Sequence, residues 1–439
     1  MRRLILPVFA LLSSIAILMM GNGLLTTLIG VRLGLAGSSE FTAGLVTSGY
    51  FGGLIIGAFL APKLIERVGH IRTFAAAASI FSAAAVGHAF FESAAFWWGL
   101  RLLEGLCMAS LFICAESWLN ERSTNETRGA ILSVYTLTAG IFMGIGQFFL
   151  NLADISTFTL FAVASILLSI SLVPLTLNQG PTPSLPESRP LNLMALLRAS
   201  PLSMTGALVS GLALGAFYGV APLFGQRLGL TTEGVARLIG LTIIGGMVLQ
   251  YGLGRISDKF ERRLVILIAA AGLTVASLCI PAMIHLVIGT DAIAAMTAEA
   301  LESTVDMYLL PVMCFYGGFL YTLYPLSIAQ LNDRVDPREY VVISGAMILT
   351  YSVGAMLGPI LGGGAMQLLG QSGMFLFTGV AGLALAGVAA WRRAAGPSVS
   401  VEEQSAFQPV PRTTPVIYEL DPRVDADQYS FDFDADAAS

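Results

Sequence analysis

Three charged side chains lie within one apolar stretch of this sequence: Arg101, Glu104 and Glu116. A charge placed at mid-bilayer costs roughly 2.5–3.5 kcal/mol on insertion scales, so such residues normally face other helices or a water-filled cavity. Because a helix advances about 100° per residue, Arg101 shares its face with Met108 and Phe112, while the two carboxylates flank that face. We therefore expect one side of this helix to face a polar pocket.

Arg101 and Glu104 are about one helical turn apart, and that spacing allows two roles. Their charges could compensate each other, in which case each single neutralisation should be more harmful than the double neutralisation. Alternatively, Glu104 could carry a proton beside a permanent cation. Glu116 lies near the end of the helix, where capping or snorkelling toward water is an equal alternative to a role in the pocket.

The composition sets the class of protein to which these residues belong. Hydrophobic residues make up 55% of the 439 positions and charged residues 12%, with a mean hydropathy of +0.78. Soluble domains contain about 25% charged residues, so the sequence excludes a soluble globule. We predict an all-α polytopic membrane protein with multiple passes through the inner membrane, which makes the lipid bilayer one partner.

Twelve apolar segments are long enough to be transmembrane helices. Their approximate limits are 4–29, 42–63, 71–91, 95–119, 129–151, 157–177, 202–225, 235–256, 264–288, 308–330, 341–366 and 372–392. If both termini are cytoplasmic, 17 of the 23 Lys and Arg residues fall in cytoplasmic segments and three fall outside. Because cytoplasmic loops normally carry this excess, the charge distribution supports the count and predicts that both termini are cytoplasmic.

Two short echoes indicate an internal duplication. Leu119 to Arg122 recurs as Leu331 to Arg334, at an offset of 212, and the charged loop 66–72 recurs as 258–263, at an offset of 192. The loop 289–307 accounts for the difference between the offsets. Internal repeats indicate a duplicated architecture, here two pseudo-symmetric six-helix bundles.

The predicted domain limits follow from this duplication. We expect an N-terminal bundle over 1–177, a proline-rich cytoplasmic linker over 178–200 and a C-terminal bundle over 201–393. The tail, 394–439, is acidic and has little hydrophobic periodicity, since residues 398–439 carry nine acidic and two basic side chains. Such a composition predicts disorder, with a solvated appendage or a docking motif near Tyr418 or Tyr429 as the alternatives.

The two echoed loops contain the candidate residues of a cytoplasmic gate. A carboxylate near a helix N-terminus meets the positive end of the helix dipole, and basic side chains keep the turn in water. One interpretation is charge that only fixes the topology; the other is a latch whose ion pairs break and re-form as the halves rock. The candidate gate residues are Glu66, Arg67, Gly69, Asp258, Lys259 and Arg262.

Twelve helices in two homologous halves, with these turns after helices 2 and 8, resemble the major facilitator superfamily over about residues 4–392. The loop signature of that family, roughly G-x-x-x-D-R-x-G-R-R, is matched by Gly254 to Lys259, although Glu261 replaces its second glycine. The earlier copy has Pro62 where a glycine is expected. The run from Glu116 to Arg122 is similar to the bacterial YcaD-type branch.

Two further motifs carry the resemblance. Arg101 to Gly105 resembles the helix 4 signature, whose arginine is linked to proton coupling in many members, although Glu104 stands where the family has Gln. An antiporter-like glycine signature lies on helix 11, whereas antiporters have it on helix 5. This placement does not favour an antiporter, and close packing between helices is the preferred explanation, because small residues let backbones approach. Its residues are Gly354, Gly358, Pro359 and Gly362.

The resemblance also implies a substrate cavity between the halves, lined mainly by helices 1, 4, 7 and 10. An apolar-aromatic pocket with few polar groups suits a small-molecule substrate, although plain helix packing also explains each tyrosine. The polar and aromatic residues on those helices are Asn22, Thr26, Arg101, Glu104, Glu116, Tyr218, Gln226, Tyr316, Tyr321 and Tyr324.

The function predicted from this resemblance is secondary active transport of a small organic solute by alternating access, with protons as a candidate coupling ion. A receptor or sensor that kept the fold but lost transport is the alternative, and the acidic tail is its only support. A membrane-embedded enzyme is less favoured, because the sequence has three histidines and no His-Glu-x-x-His motif or phosphate-binding loop. No cofactor, metal or nucleic-acid partner is predicted.

Overall fold

The computed structural model describes residues 8–124, 126–177, 183, 200–288, 296–335, 340–396 and 399–420. Twelve long helices follow one another within these residues. They are α1 Phe9–Leu35, α2 Glu40–Val68, α3 His70–Gly87, α4 Ala94–Glu121, α5 Arg128–Gln147, α6 Thr159–Ile170 continued by Leu172–Thr176, α7 Pro201–Arg227, α8 Thr232–Ser257, α9 Arg262–Met283, α10 Leu310–Asn332, α11 Tyr340–Leu369 and α12 Gly373–Ala394. A short helix, Ala298–Thr304, precedes α10.

Eleven of the spans in the described chain are long and apolar enough to cross a membrane. The twelfth helix, α3, has 18 residues, which is about 27 Å at 1.5 Å per residue. It packs against α4 and α6 inside the first group of helices, where its polar residues His70 and Thr73 are buried. The all-α membrane fold with twelve helices is therefore confirmed.

Helix packing repeats after six helices. In the first half α1 packs on α5, α2 on α4, and α3 on α6; in the second half α7 packs on α11, α8 on α10, and α9 on α12. The repeated packing corresponds to the repeated loop sequences, and it confirms two pseudo-symmetric bundles. The predicted linker, 178–200, lies outside the described residues except for residues 183 and 200, so its limits remain a prediction.

The two bundles meet along α2 with α11, α5 with α8, and α1 with α7. We call the end of the bundles that holds residues 177 and 200 the linker end, and the opposite end the far end. At the far end the bundles are in close contact, because Gly44 of α2 lies against the backbone of Pro359 in α11. Arg227 at the end of α7 lies 3.7 Å from Glu40 at the start of α2. The far end is therefore closed.

Local chemistry explains where several helices begin and end. The Ser39 and Thr231 side chains accept hydrogen bonds of 3.2 Å from backbone N–H groups at the starts of α2 and α8. Such side chains satisfy donors that the first helical turn leaves without partners. Gly69 separates α2 from α3 with φ +85°, a conformation that favours glycine. This backbone conformation explains why position 69, a predicted gate residue, is a glycine.

The tail differs from the predicted disorder. Residues 399–417, which we call the strap, follow α12 at the linker end. They contain a short 3-10 turn at Val401–Glu403. A second 3-10 segment starts at Pro415, and it packs on α4, α5 and α11. Phe407, Val410 and Ile417 of the strap are buried. Composition predicted disorder because these few apolar residues have no helical or strand period. In the structure they are buried in the core that the two bundles form. Residues 421–439 lie outside the described residues.

Candidate functional site

A cavity of about 150 Å³ lies between the two bundles, and residues of the strap form one side of its wall. Its wall is mostly apolar and aromatic, with polar groups from both halves. The lining side chains include Asn22, Thr26, Thr47, Tyr50, Arg101, Phe112, Thr136, Tyr218, Gln250, Tyr321 and Tyr351, together with Val410 to Thr413 of the strap. Pockets that enclose drug-sized ligands usually measure about 300–1,000 Å³, so the strap leaves room only for a smaller molecule.

Arg101 is the buried cation of the wall contributed by the first bundle. Only 1% of its surface is exposed, and its Nη1 donates to Glu104 Oε2 at 2.9 Å. Its guanidinium also lies over the ring of Tyr50, 4.4 Å from the ring centroid. The ion pair and the cation–π contact together fix the guanidinium against the cavity wall.

Glu104 lies behind Arg101 and does not line the cavity. Its second oxygen is 3.4 Å from His88 Nδ1, and that nitrogen is also 3.0 Å from the carbonyl oxygen of Ala84. Glu104 and His88 are both fully buried. Arg101, Glu104 and His88 therefore form a continuous polar file that starts at the cavity and ends near the far end of α3.

Three tyrosines of the second bundle surround a cation from the strap. The Arg412 guanidinium carbon lies 5.2 Å from the ring centroid of Tyr321, and 6.0 Å from those of Tyr324 and Tyr351. Arg412 also donates to the backbone oxygen of Tyr321. We call Tyr321, Tyr324 and Tyr351 the aromatic cage. The Tyr321 hydroxyl in turn forms a hydrogen bond with that of Tyr218.

Glu116, on α4, contacts the two strap residues that follow Arg412. Its carboxylate is fully buried and accepts hydrogen bonds from the hydroxyl groups of Thr413 and Thr414. A third hydroxyl, that of Tyr135 on α5, donates at 2.8 Å. Glu116 is thus a buried acceptor that binds the strap, whereas the sequence also allowed a side chain that reaches toward water.

The ten candidate cavity residues fall into three groups in the structure. Asn22, Thr26, Arg101, Tyr218 and Tyr321 line the cavity. Glu104, Glu116 and Tyr324 contact lining residues or the strap. Gln226 and Tyr316 are elsewhere, contrary to the prediction: Gln226 lies against Gly34 at the closed far end, and Tyr316 packs on Phe217 and Phe375 inside the second bundle.

Several wall residues were missed by the sequence reasoning. Tyr50 is on α2 and Tyr351 on α11, helices that the resemblance does not place at the centre of the cavity. Arg412 was assigned to a disordered tail. Tyr351 had one signal, because it repeats Tyr135 at an offset of 216, and both tyrosines lie beside the strap.

The predicted gate residues are distributed unequally. Glu66, Arg67 and Lys259 are exposed. Arg262 is buried, 3.6 Å from Asp258 and 3.2 Å from Asp333. Of the two copies of the charged loop, the one after α8, in the second bundle, therefore forms these ion pairs.

The strap is anchored on this paired copy. The N–H of Phe407 donates to Asp258 at 2.7 Å, and that of Ser405 donates to Asp333 at 3.1 Å. Arg262 donates to the Ser405 carbonyl at 2.6 Å. Gly254, the first glycine of the signature, lies under the ring of Phe407. The charged loop of the second bundle therefore holds the strap at the linker end.

The glycine signature of α11 lies in a helix–helix contact. A Cβ on Gly358 would come within 2.9 Å of the Ala216 nitrogen in α7, and a Cβ on Gly362 within 2.7 Å of the Ala216 Cβ. Gly354 likewise lies against the backbone of α7 near Leu212, and the Pro359 ring lies against Gly219. These contacts are the close backbone approach that small residues permit.

Comparison with protein families decides the class. The family model of the Major Facilitator Superfamily matches residues 11–301, about two thirds of the chain. This chain belongs to the Major Facilitator Superfamily. It is a multi-pass membrane protein of a transporter superfamily, and the similarity to the YcaD-type branch is confirmed. Several Escherichia coli strains have a protein named "Uncharacterized MFS-type transporter YcaD", which is 26% identical over 374 residues, covering 84% of this chain and 91% of the relative.

Solved structures of transporters share the fold. A D-xylose-proton symporter aligns with a TM-score of 0.63 at 17% identity, covering 93% of this chain and 98% of the symporter. The nucleoside transporter NupG aligns with a TM-score of 0.68 at 13% identity, covering 88% of this chain and 98% of NupG. A bacterial homolog of the human lysosomal transporter Spinster, solved in an inward-facing and unoccupied conformation, gives 0.61 at 15% identity, covering 95% of both chains.

Proposed function

We propose that this protein is a secondary active transporter that carries a small organic solute by alternating access. The observation that supports the proposal most is a cavity shared by two pseudo-symmetric bundles, with Arg101 on one side and Tyr218 and Tyr321 on the other. Superfamily transporters bind substrate near the midplane between repeats and rock the repeats around it. The closed far end supports a state in which the cavity opens only toward the linker end once the strap withdraws.

We propose that the linker end is cytoplasmic and that both chain termini lie on that side. The support is the excess of Lys and Arg in the segments assigned to it, 17 of 23 against three on the other side. In this orientation the strap covers a cavity that would open inward. Labelling of single cysteines at exposed positions of each end, in intact cells, tests the assignment.

Proton coupling is the finer part of the proposal. Glu104 has a permanent cation at 2.9 Å on one oxygen and the neutral or protonated ring of His88 at 3.4 Å on the other. A carboxyl group between such partners can change its protonation state when Arg101 moves with substrate or with the rocking bundle. Reconstituted Glu104→Gln protein tests this, because flux that keeps its full dependence on the pH gradient removes Glu104 from the role.

Transport itself requires a flux measurement. The first step is a thermal-stability screen of the purified protein against metabolites and drugs, since a ligand that binds the folded state raises its stability. Ligands that stabilise the protein are then tested for uptake into proteoliposomes. A transporter accumulates or exchanges the solute, and Arg101→Gln lowers that flux. A sensor, which the strap inside the cavity also suits, binds the ligand without flux.

A further inference from the structure

The aromatic cage and Glu116 are held together by one short part of the strap. Arg412 enters the cage, and the next two residues, Thr413 and Thr414, donate to Glu116. The strap therefore places a cation against three aromatic rings. The two hydroxyl groups that follow this cation in the sequence bind one carboxylate. Each of these partners belongs to the bundles and not to the strap.

Without the strap, Glu116 lacks most of its hydrogen-bond partners, whereas Arg101 keeps its own partner. Arg101 is neutralised by Glu104 at 2.9 Å. The contacts of the Glu116 carboxylate within the described residues are three hydroxyl groups, two of them from the strap. With the strap withdrawn, the buried carboxylate retains only the Tyr135 hydroxyl. A buried carboxyl group without hydrogen-bond partners is costly, so an occupant that brings hydrogen-bond donors is favoured in place of the strap.

The rings supply the second half of the recognition. A cation within about 6 Å of an aromatic ring centroid is attracted by the electrons of the ring face, and the attraction is strongest when the pair is desolvated. All three rings of the cage meet this distance for Arg412, and each is at least 93% buried. Cages of this kind are suited to guanidinium and alkylammonium groups, whereas a neutral solute of the same shape gains little from them.

We propose that the aromatic cage and Glu116 form a subsite for an organic cation, and that Arg412 of the strap occupies it as an internal surrogate for that cation. The proposal rests on the proposed transport function and names its substrate class: a small molecule with a guanidinium or alkylammonium group. The strap must leave the subsite before such a solute binds, because both use the same rings and the same carboxylate.

Binding to the purified full-length protein tests the subsite directly. The probes are benzylguanidine, which is a cation, and benzylurea, its neutral isostere. Arg412→Ala removes the internal cation that competes for the subsite. The affinity of this variant for benzylguanidine is therefore expected to be about tenfold higher than that of wild type, which corresponds to about 1.4 kcal/mol of binding free energy. Arg412→Lys keeps an internal cation and is expected to stay within about threefold of wild type. Equal affinities of wild type and Arg412→Ala, or equal gains for benzylurea, overturn the proposal.

Matched variants in the Arg412→Ala background locate the site. Tyr351→Leu and Glu116→Gln should each abolish the gain. Tyr316→Leu removes a buried tyrosine outside the cage, and Glu121→Gln removes a carboxylate farther along α4; both should keep the gain. Loss of the gain in all four variants, or in none, contradicts a site built from the cage and Glu116.

Hydrogen exchange on the wild-type protein gives a second test that needs no variant. The backbone N–H groups of Ser405 and Phe407 are hydrogen-bonded to Asp333 and Asp258. Benzylguanidine should speed their exchange at least tenfold by displacing the strap, whereas benzylurea should not; unchanged exchange at saturating benzylguanidine overturns the proposal. Proteoliposome flux separates the two claims: binding without flux speaks against transport alone, and flux of neutral solutes without cation binding speaks against the subsite alone.

Discussion

Neutralising Arg101 and Glu104, singly and together, is the perturbation whose outcome the structure specifies most closely. Arg101→Met keeps most of the side-chain volume, and Glu104→Gln is nearly isosteric. Each single change leaves one charge fully buried without its partner at 2.9 Å. The double change removes both charges and leaves a neutral pair in the same space.

The expected magnitudes follow from burial. Breaking a buried ion pair by removing one partner costs about 3–5 kcal/mol, because the remaining charge is uncompensated. Arg101→Met also loses the cation–π contact with Tyr50, about 2 kcal/mol when desolvated. Replacing both members of a buried pair is often nearly neutral. The double variant should therefore be more stable than either single variant, with a favourable coupling of several kcal/mol.

The assay is equilibrium unfolding of the purified protein in mixed micelles, with the free energy of unfolding measured for wild type, both single variants and the double variant. The double-mutant cycle isolates the energy of the pair. Glu121→Gln, an end-of-helix change outside the pair, serves as the control and should stay within about 0.5 kcal/mol of wild type. Single losses that simply add in the double variant would refute a compensating pair.

Three further outcomes follow from other contacts. Gly358→Ala places a Cβ 2.2 Å from the Leu212 backbone oxygen in α7, so it should lower stability by about 1–3 kcal/mol. Gly387→Ala has no neighbour within 4 Å and should be neutral or stabilising by up to about 1 kcal/mol. Equal melting temperatures of the two variants would contradict the packing role. Gly254→Ala should push the Phe407 ring from its seat and speed proteolysis or exchange of the strap without unfolding the bundles, and a strap as protected as in wild type would contradict this contact. In proteoliposomes Glu104→Gln should lose the pH-gradient dependence of flux while retaining exchange of solute.

The helical fold could be predicted because its cause is local. A span of apolar residues must satisfy its backbone hydrogen bonds internally in lipid, so length and hydropathy predict eleven of the twelve long helices in the described chain. The duplication could be predicted because short loops keep charged residues at fixed offsets, as Asp333 and Glu121 show. Arg101 could be assigned to the cavity because a buried charge on an apolar helix has few other places to lie.

The cavity contacts could be predicted only in part, because they depend on helix rotation and on distant segments. Tyr316 and Tyr321 are five residues apart on α10, and the sequence could not decide that one faces the core of the second bundle and the other the cavity. Gln226 is eight residues beyond Tyr218 on α7, close to the end of that helix, and therefore lies at the far end and not in the cavity. The strap was missed because its buried contacts are all long-range, and the partner of Arg412 is a set of rings at least 61 positions away.

Distances between the bundles in the presence and absence of ligand test alternating access most directly. After Cys279, the exposed native cysteine among the described residues, is replaced by serine, spin labels can be placed at Glu66 and Lys259 for the linker end, and at Phe90 and Leu368 for the far end. We predict two populations. In one, the linker-end distance is short and the far-end distance is long; in the other, the linker-end distance is long and the far-end distance is short. A ligand should shift the ratio of the two populations. One fixed distance at each end, unchanged by every stabilising ligand and by Arg412→Ala, would contradict a rocking transporter.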